Sequence, residues 1–284
     1  MLKADSGVEI IQWSICALLL ARMLPSVNEI ERFFDLDRRL LKRVSTRWEA
    51  FEFGVAYLDE ECPERYYSSF LLVDAEREDV TADVLVDSAE GILGGADFRH
   101  RLIVVNDHRV VERLQPAFAA FGYTVSWDVV MLHRHHPDRD GDVTVEEVPF
   151  SEVRAMIREM YIQDPDVADE LADGFTQQQG NRERTVGARF FVGSVDGRRA
   201  GNCELYVDGL DAQVENVGTL QQFRGRGVAR SVVLRAVAAA REAGARYVFI
   251  VTDDDDWPKY LYRRLGFERI GRAGRFLLVP SRAT

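Results

Sequence analysis

Residues 213–230 read Gln-Val-Glu-Asn-Val-Gly-Thr-Leu-Gln-Gln-Phe-Arg-Gly-Arg-Gly-Val-Ala-Arg: a β-rich run, a glycine-rich turn and the opening of a helix. A strand that feeds a helix through such a turn is a building unit of layered α/β folds. The successive N–H groups of the turn, with a helix N-terminus behind them, form a pocket for an anion. Gly225 and Gly227 lack side chains, so a phosphate can approach the main chain closely. Arg224, Arg226 and Arg230 add positive charge in forks that suit phosphate oxygens. A nucleotide P-loop needs Lys-Ser/Thr where this run has Val228-Ala229, and a dinucleotide loop needs glycine where it has Arg230. Both nucleotide readings fail on those residues.

Polarity patterns around the run define a mixed α/β unit. Residues 143–148 alternate as a strand, 151–160 have helical spacing with Ser151 as N-cap, and 166–175 read as a second helix. Two β-rich runs within 190–207 meet at Asp196-Gly197, a dipeptide suited to a positive-φ hairpin turn. A strand at 213–220 precedes a helix at 227–243, whose apolar stripe of Val228, Val232, Leu234 and Val237 stops at Gly244. A buried strand at 247–251, a helix ending at Leu265-Gly266 and a strand at 275–279 complete the order β-α-α-β-β-β-α-β-α-β. That order is an α/β (α+β) mixed sheet.

The polar run 133–142 reads as a linker between an N-terminal α/β domain, 1–136, and a second domain, 137–284. Its neighbouring imidazoles, His133, His135 and His136, lack ordered metal-ligand spacing, so a solvated linker is expected there. The first half holds a faint copy of the end of the second. Residues 102–107 parallel 248–253, each followed by a helix, by Gly122-Tyr123 or Gly266-Phe267, and by a last strand. An internal duplication is the expectation. No Arg-Gly-x-Gly turn lies between Phe70 and His100, so the first copy has lost the phosphate cradle and keeps a structural role, completing the core or walling an acceptor cleft.

The 47 acidic against 36 basic residues, net charge −11, speak against a nucleic-acid partner. Cys16, Cys62 and Cys203 are far apart and read as free thiols in a reducing compartment. The apolar run 13–21 would rise only about 14 Å as a helix, too short for a bilayer. With Glu9 in the leader and no small-residue cleavage site, a cytoplasmic protein without a membrane partner is expected. Residues before Asn28 read as a flexible arm or a docking helix.

The chain resembles the GNAT N-acetyltransferase superfamily over roughly residues 143–280. The family's Arg/Gln-x-x-Gly-x-Gly/Ala signature stands here as Arg224-x-x-Gly227-x-Ala229. Its later Asn-x-x-Ala-x-x-Leu-Tyr-x-x-x-Gly-Phe pattern stands as Asp255-x-x-Pro258-x-x-Leu261-Tyr262-x-x-x-Gly266-Phe267, departing at Asp255 and Pro258. The resemblance implies a GNAT fold, tandem with a degenerate first half, and acetyl-CoA or another acyl-CoA as co-substrate, without a metal. It implies a diphosphate on Arg224, Gly225, Arg226, Gly227, Val228, Ala229 and Arg230, and a pantetheine arm pairing with the backbone of Val217, Gly218 and Thr219 like an added strand. Gly218 would sit at the bulge that splays the two central strands. Asp255 replaces the family's cofactor-bonding Asn. Tyr262, at the family's tyrosine position, would protonate the leaving thiolate.

As the base that receives the amine proton, the strand alternation nominates Glu215, on one face with Val217 and Thr219; Glu204 is the second choice. The run Asp253–Asp256 reads as a solvated loop in which Asp255 or Asp256 caps the next helix, not as a cation site. His100 and His108 have no spaced partners. The expected activity is direct acetyl transfer to a primary amine, on a small molecule or a protein. The alternative is a non-catalytic acyl-CoA sensor.

Overall fold

The computed structural model describes residues 28–74 and 79–280. Cys16, the apolar run 13–21 and the arm before Asn28 lie outside the described residues. Among the described residues no helix is long and apolar enough to cross a membrane.

The first half contributes α1 (Glu29–Val44), β1 (Arg47–Phe51), β2 (Gly54–Leu58), β3 (Phe70–Val73), α2 (Ala82–Ala89), β4 (Arg101–Val105), α3 (His108–Ala120) and β5 (Thr124–His133). The second contributes β6 (Thr144–Val148), α4 (Phe150–Ile162), α5 (Ala172–Thr185), β7 (Arg189–Val195), β8 (Arg198–Asp208), β9 (Asp211–Thr219), α6 (Val228–Glu242), β10 (Tyr247–Asp253), α7 (Pro258–Arg264) and β11 (Phe267–Leu278). In the second half the element order matches the sequence reading, with shifts where periodicity is weak; in the first half α1, β1, β2, β3 and α2 were not read from the sequence. Pro149, not Ser151, precedes α4 at its N-cap. The second helix begins at Ala172 rather than 166, because Asp169–Leu171 takes a 3₁₀ turn first. The last strand starts at Phe267, eight residues earlier than its apolar end suggests, since Arg269, Arg272 and Arg275 interrupt the pattern without leaving the ladder. The Asp196-Gly197 hairpin has both residues at positive φ, 51° and 71°.

The eleven strands of the described residues form one sheet in the order β1-β2-β3-β4-β11-β5-β10-β9-β8-β7-β6. The halves therefore interlock. β5, the last strand of the first half, lies between β11 and β10, while β11, the last strand of the chain, lies between β4 and β5. Each half thus completes the sheet of the other. The cores follow suit: Phe33, Phe34, Leu36 and Leu40 of α1 pack in the second half's core, with Phe33 5.5 Å from Phe249 between ring centroids. Phe276 of β11 stacks on Phe118 of α3 in the first half's core. Such non-local burial gives neither half a complete core alone.

The segment after β5 is bound to the second half. Arg134 and His135 donate to the Gly266 carbonyl, Asp138 to that of Arg264, and Val143 to the Ser231 hydroxyl. The linker of the sequence reading is exposed at 134–136 and 138–142, as expected, and these bonds also make it a strap. His133 is pushed down to about 4, first by burial and then by Arg241, so it is neutral at physiological pH.

Candidate active site

β9 and β10 run parallel and bonded only from Asp211 and Tyr247 to Val214 and Ile250. Beyond that point β9 stays on β8 and β10 stays on β5, so their facing edges part into a fork. A bulge opens it. Asn216 and Val217 together oppose Cys203, and Asn216 sits at φ 49°. Asparagine tolerates the left-handed region better than most residues, and the extra residue bends the strand. The sequence reading placed this bulge at Gly218, and the structure corrects it. Gly218 instead clears room, since a Cβ there would lie 2.7 Å from the sulfur of Met160.

The bulge also reverses the alternation. Glu215 pairs with Glu204 and Gly218 with Asn202, so these share the face that α1, α4 and α5 cover. Val217 and Thr219 take the opposite face, not that of Glu215 as strict alternation implied. Their backbone edge toward β10 is open, the geometry an added strand requires.

At the mouth of the fork, Gly225 and Gly227 adopt φ 75° and 81°, and Gly227 is the N-cap of α6 with no side chain capping it. The first backbone bond of the helix runs from Ser231 to Gly227, 3.1 Å, which leaves the amides of Val228, Ala229 and Arg230 without intrahelical acceptors. A Cβ on either glycine would meet nothing within 4 Å, so the backbone conformation and the open space above it, not crowding, call for glycine. This turn fits a diphosphate. Arg224 is exposed beside it, and Arg226 is paired with Asp196 at 2.8 Å, an exposed contact that releases easily. Arg230 is corrected: its guanidinium is buried and binds the Asp138 carboxylate at 2.5 Å and the Arg139 carbonyl at 3.1 Å, fastening the strap. Only its amide faces the cradle.

Below the fork, Glu215, Val251 and Thr252, the first residues past the parting point, line a cavity of about 310 Å³. Gln213 donates to Glu215 at 2.5 Å. Burial pushes the Glu215 carboxyl upward, Arg182 and that hydrogen bond oppose it, and Glu204 and Asp128 reinforce it. A carboxylate raised toward neutrality is suited to take a proton. Glu204, fully buried, instead accepts from Gln179 and Tyr206, each at 2.5 Å, with Arg182 at 4.0 Å. That satisfied network holds α5 to β8 and leaves Glu204 no role as base.

Tyr262 of α7 has a buried ring, 6.2 Å between centroids from Phe267. Burial, then the Glu215 charge, push its phenol well above the ordinary tyrosine range, so it keeps its proton. Asp255 is exposed at the turn before α7; its N–H donates to Asp253 at 2.8 Å, and Asp256 accepts from Trp257 at 2.7 Å. Trp257 holds the N-cap position, so neither Asp255 nor Asp256 caps the helix as the sequence suggested. His100 is buried against the Ser69 carbonyl at 2.7 Å, a structural placement. Among the described residues no three His, Cys, Asp or Glu side chains gather as metal ligands.

The sequence reading missed two carboxylates, Asp37 of α1 and Asp128 of β5, that line the same cavity. Asp37 left a signal, since it interrupts the stripe Phe33, Phe34, Leu41 at helical spacing. Burial raises it to about 7, reinforced by Glu215 and Asp128 and opposed by Arg38. Burial also raises Asp128 to about 6, though Arg275 opposes it.

Residues 186–269 match the family model of the acetyltransferase (GNAT) domain. Those residues form a GNAT domain. They are the part that carries the fork, the glycine turn and Tyr262. An uncharacterized N-acetyltransferase of Chlorobaculum tepidum is 30% identical over 83 residues, 28% of this chain and 50% of that protein. The chain thus spans about half the length of the curated relative it matches. The GCN5-related N-acetyltransferase of Kribbella flavida superposes with a TM-score of 0.60 at 17% identity, over 89% of this chain and 96% of that one. A tandem GNAT protein from the clavulanic acid biosynthesis pathway superposes with a TM-score of 0.55 at 14% identity, over 99% and 98%. At such identities these likenesses concern the fold alone: the chain shares the two-halved architecture of those proteins, and among the described residues its first half has no glycine turn like that at Gly225 and Gly227.

Proposed function

We propose that this protein is an acyl-CoA-dependent N-acetyltransferase that passes an acetyl group directly to a primary amine. Residues 137–284 would be the catalytic lobe, with 1–136 walling the acceptor side. The observation that carries the reading is the fork between β9 and β10 with an uncapped, left-handed glycine turn at its mouth. Bound acetyl-CoA would supply the acetyl thioester. The amides of residues 225–230 and Arg224 would hold its diphosphate, and the open edge at Val217–Thr219 its pantetheine arm.

An alkylamine of pKa near 10.4 is about 4–5 kcal/mol from its neutral form at pH 7, so a base must take its proton. Glu215 lies where the fork meets the cavity and is raised by burial toward that task. Tyr262, which keeps its proton, would donate a hydrogen bond from its O–H to the departing thiolate as the general acid, with the raised phenol setting the cost of full transfer. Calorimetric titration with acetyl-CoA should give one site per chain, and CoA release should depend on an added amine. Two sites would refute the loss of the first cradle. Tight binding with no release over a panel of small amines and lysine peptides would make the protein a sensor instead.

A further inference from the structure

We propose that the cavity under the fork selects a small aliphatic amine carrying a second cationic group, of the diamine or polyamine class, with Asp37 holding the second charge. The inference rests on the transfer reading for its reaction but not for the binding site itself. The cavity begins where Glu215, Val251 and Thr252 leave the paired part of the fork. It extends to α1 and β5 of the first half, so an amine presented at Glu215 has its remainder inside. Phe33, Phe34, Phe70 and Val130 line the walls and suit a methylene chain. Its volume, about 310 Å³, is at the small-molecule end of ligand sites.

Asp37 and the Gln213 carbonyl oxygen in the cavity call for a donor cation, while the Nε–H of Arg275, also in the lining and without a partner, calls for an acceptor. Asp128 has a countercharge, Arg275 at 3.0 Å, which Asp253 shares at 3.0 Å. Asp37 makes no ion pair within 4 Å among the described residues, although it lies in the field of Glu215 and Asp128. Asp37 is half-buried in the cavity wall, where a carboxylate without an ion-pair partner gains from a bound ammonium. A second observation is independent of the charges. Gln213, only 5% exposed, lines the cavity and turns its NH₂ to Glu215, which leaves its carbonyl oxygen with no hydrogen-bond partner. An unpaired buried acceptor beside Asp37 and Glu215, neither of which is in an ion pair among the described residues, fits a ligand rich in N–H donors. A single amine cannot serve both ends: the reacting nitrogen must lose its charge at Glu215, while Asp37 needs a charge that stays.

The test compares 1,4-diaminobutane and spermidine with butylamine and 4-aminobutanoate, reading CoA release from acetyl-CoA. The diamine should exceed butylamine at least tenfold in kcat/KM, with 4-aminobutanoate poorest. Asp37→Asn should raise the diamine KM at least tenfold while kcat stays within threefold, and should erase the preference for the diamine over butylamine; Asp37→Glu should stay within threefold of wild type. Equal use of mono- and diamines, an unchanged KM in Asp37→Asn, or preference for a lysine peptide would overturn the proposal. Calorimetric titration of 1,4-diaminobutane without acetyl-CoA separates the two readings. Diamine binding that needs Asp37, without acetyl-CoA binding, would sink the transfer reading and leave the pocket standing. Acetyl-CoA binding with diamine binding indifferent to Asp37 would do the reverse.

Discussion

The two halves repeat a strand, a helix and a parallel strand, and they treat the gap between the strands oppositely. In the first half β3 has four residues and pairs with β4 from Leu71 and Ile103 to Val73 and Val105, the end of both strands. In the second half β9 has nine residues, of which only four pair with β10 before the Asn216 bulge turns it away. The crossover helices differ in the same sense: α2 starts after an extended Thr81, α6 after a left-handed, uncapped Gly227. In the proposed reading an open strand edge and convergent amides act together, because one acyl-CoA would span both. The half that kept neither contributes otherwise, placing Asp37 and Asp128 against the cavity of its partner.

That contrast breaks first at the chemistry. Tyr262→Phe and Glu215→Gln should each lower kcat by about 100-fold or more, the usual scale of general acid–base assistance, with acetyl-CoA affinity within twofold. In wild type the acid limb of the rate profile should lie above the ordinary carboxylate range, because activity is lost as pH falls through the raised pKa of Glu215. Glu215→Gln should flatten that limb, and a retained limb would assign it to another group. Next comes the cradle. Gly227→Val forces a β-branched residue to φ 81° and puts methyl groups into the open space, so acetyl-CoA binding should weaken by roughly 100-fold by calorimetry. Unchanged affinity would place the cofactor elsewhere. The smallest effect separates binding from scaffolding. Arg230→Met removes the guanidinium that fastens Asp138 and the Arg139 carbonyl and should lower the denaturant midpoint, with acetyl-CoA affinity within threefold. A large loss of affinity would return Arg230 to the phosphate site.

Much of the chemistry was legible in the chain. Glycine spacing announces a left-handed turn because few other residues adopt it, and Asp-Gly announces its hairpin for the same reason. The position of the bulge was not legible: Gly218 is the residue a pattern points to, yet Asn216 bends the strand, and the shift of one residue moved Glu215 to the other face. Arg230 reads in sequence like its neighbours Arg224 and Arg226. Its partner Asp138 is 92 residues away, and no local pattern reveals that pairing.

From its residues alone the chain determined the order of elements in its second half and the glycine turn at Gly225 and Gly227, since these follow from local backbone preference and polarity over a few residues. Tertiary structure alone decided that β5 and β11 are exchanged between the halves and that α1 roofs the cavity with Asp37. Strand pairing and the sharing of a cavity depend on burial between residues far apart in sequence, and burial is a property of the assembled layers rather than of any one segment.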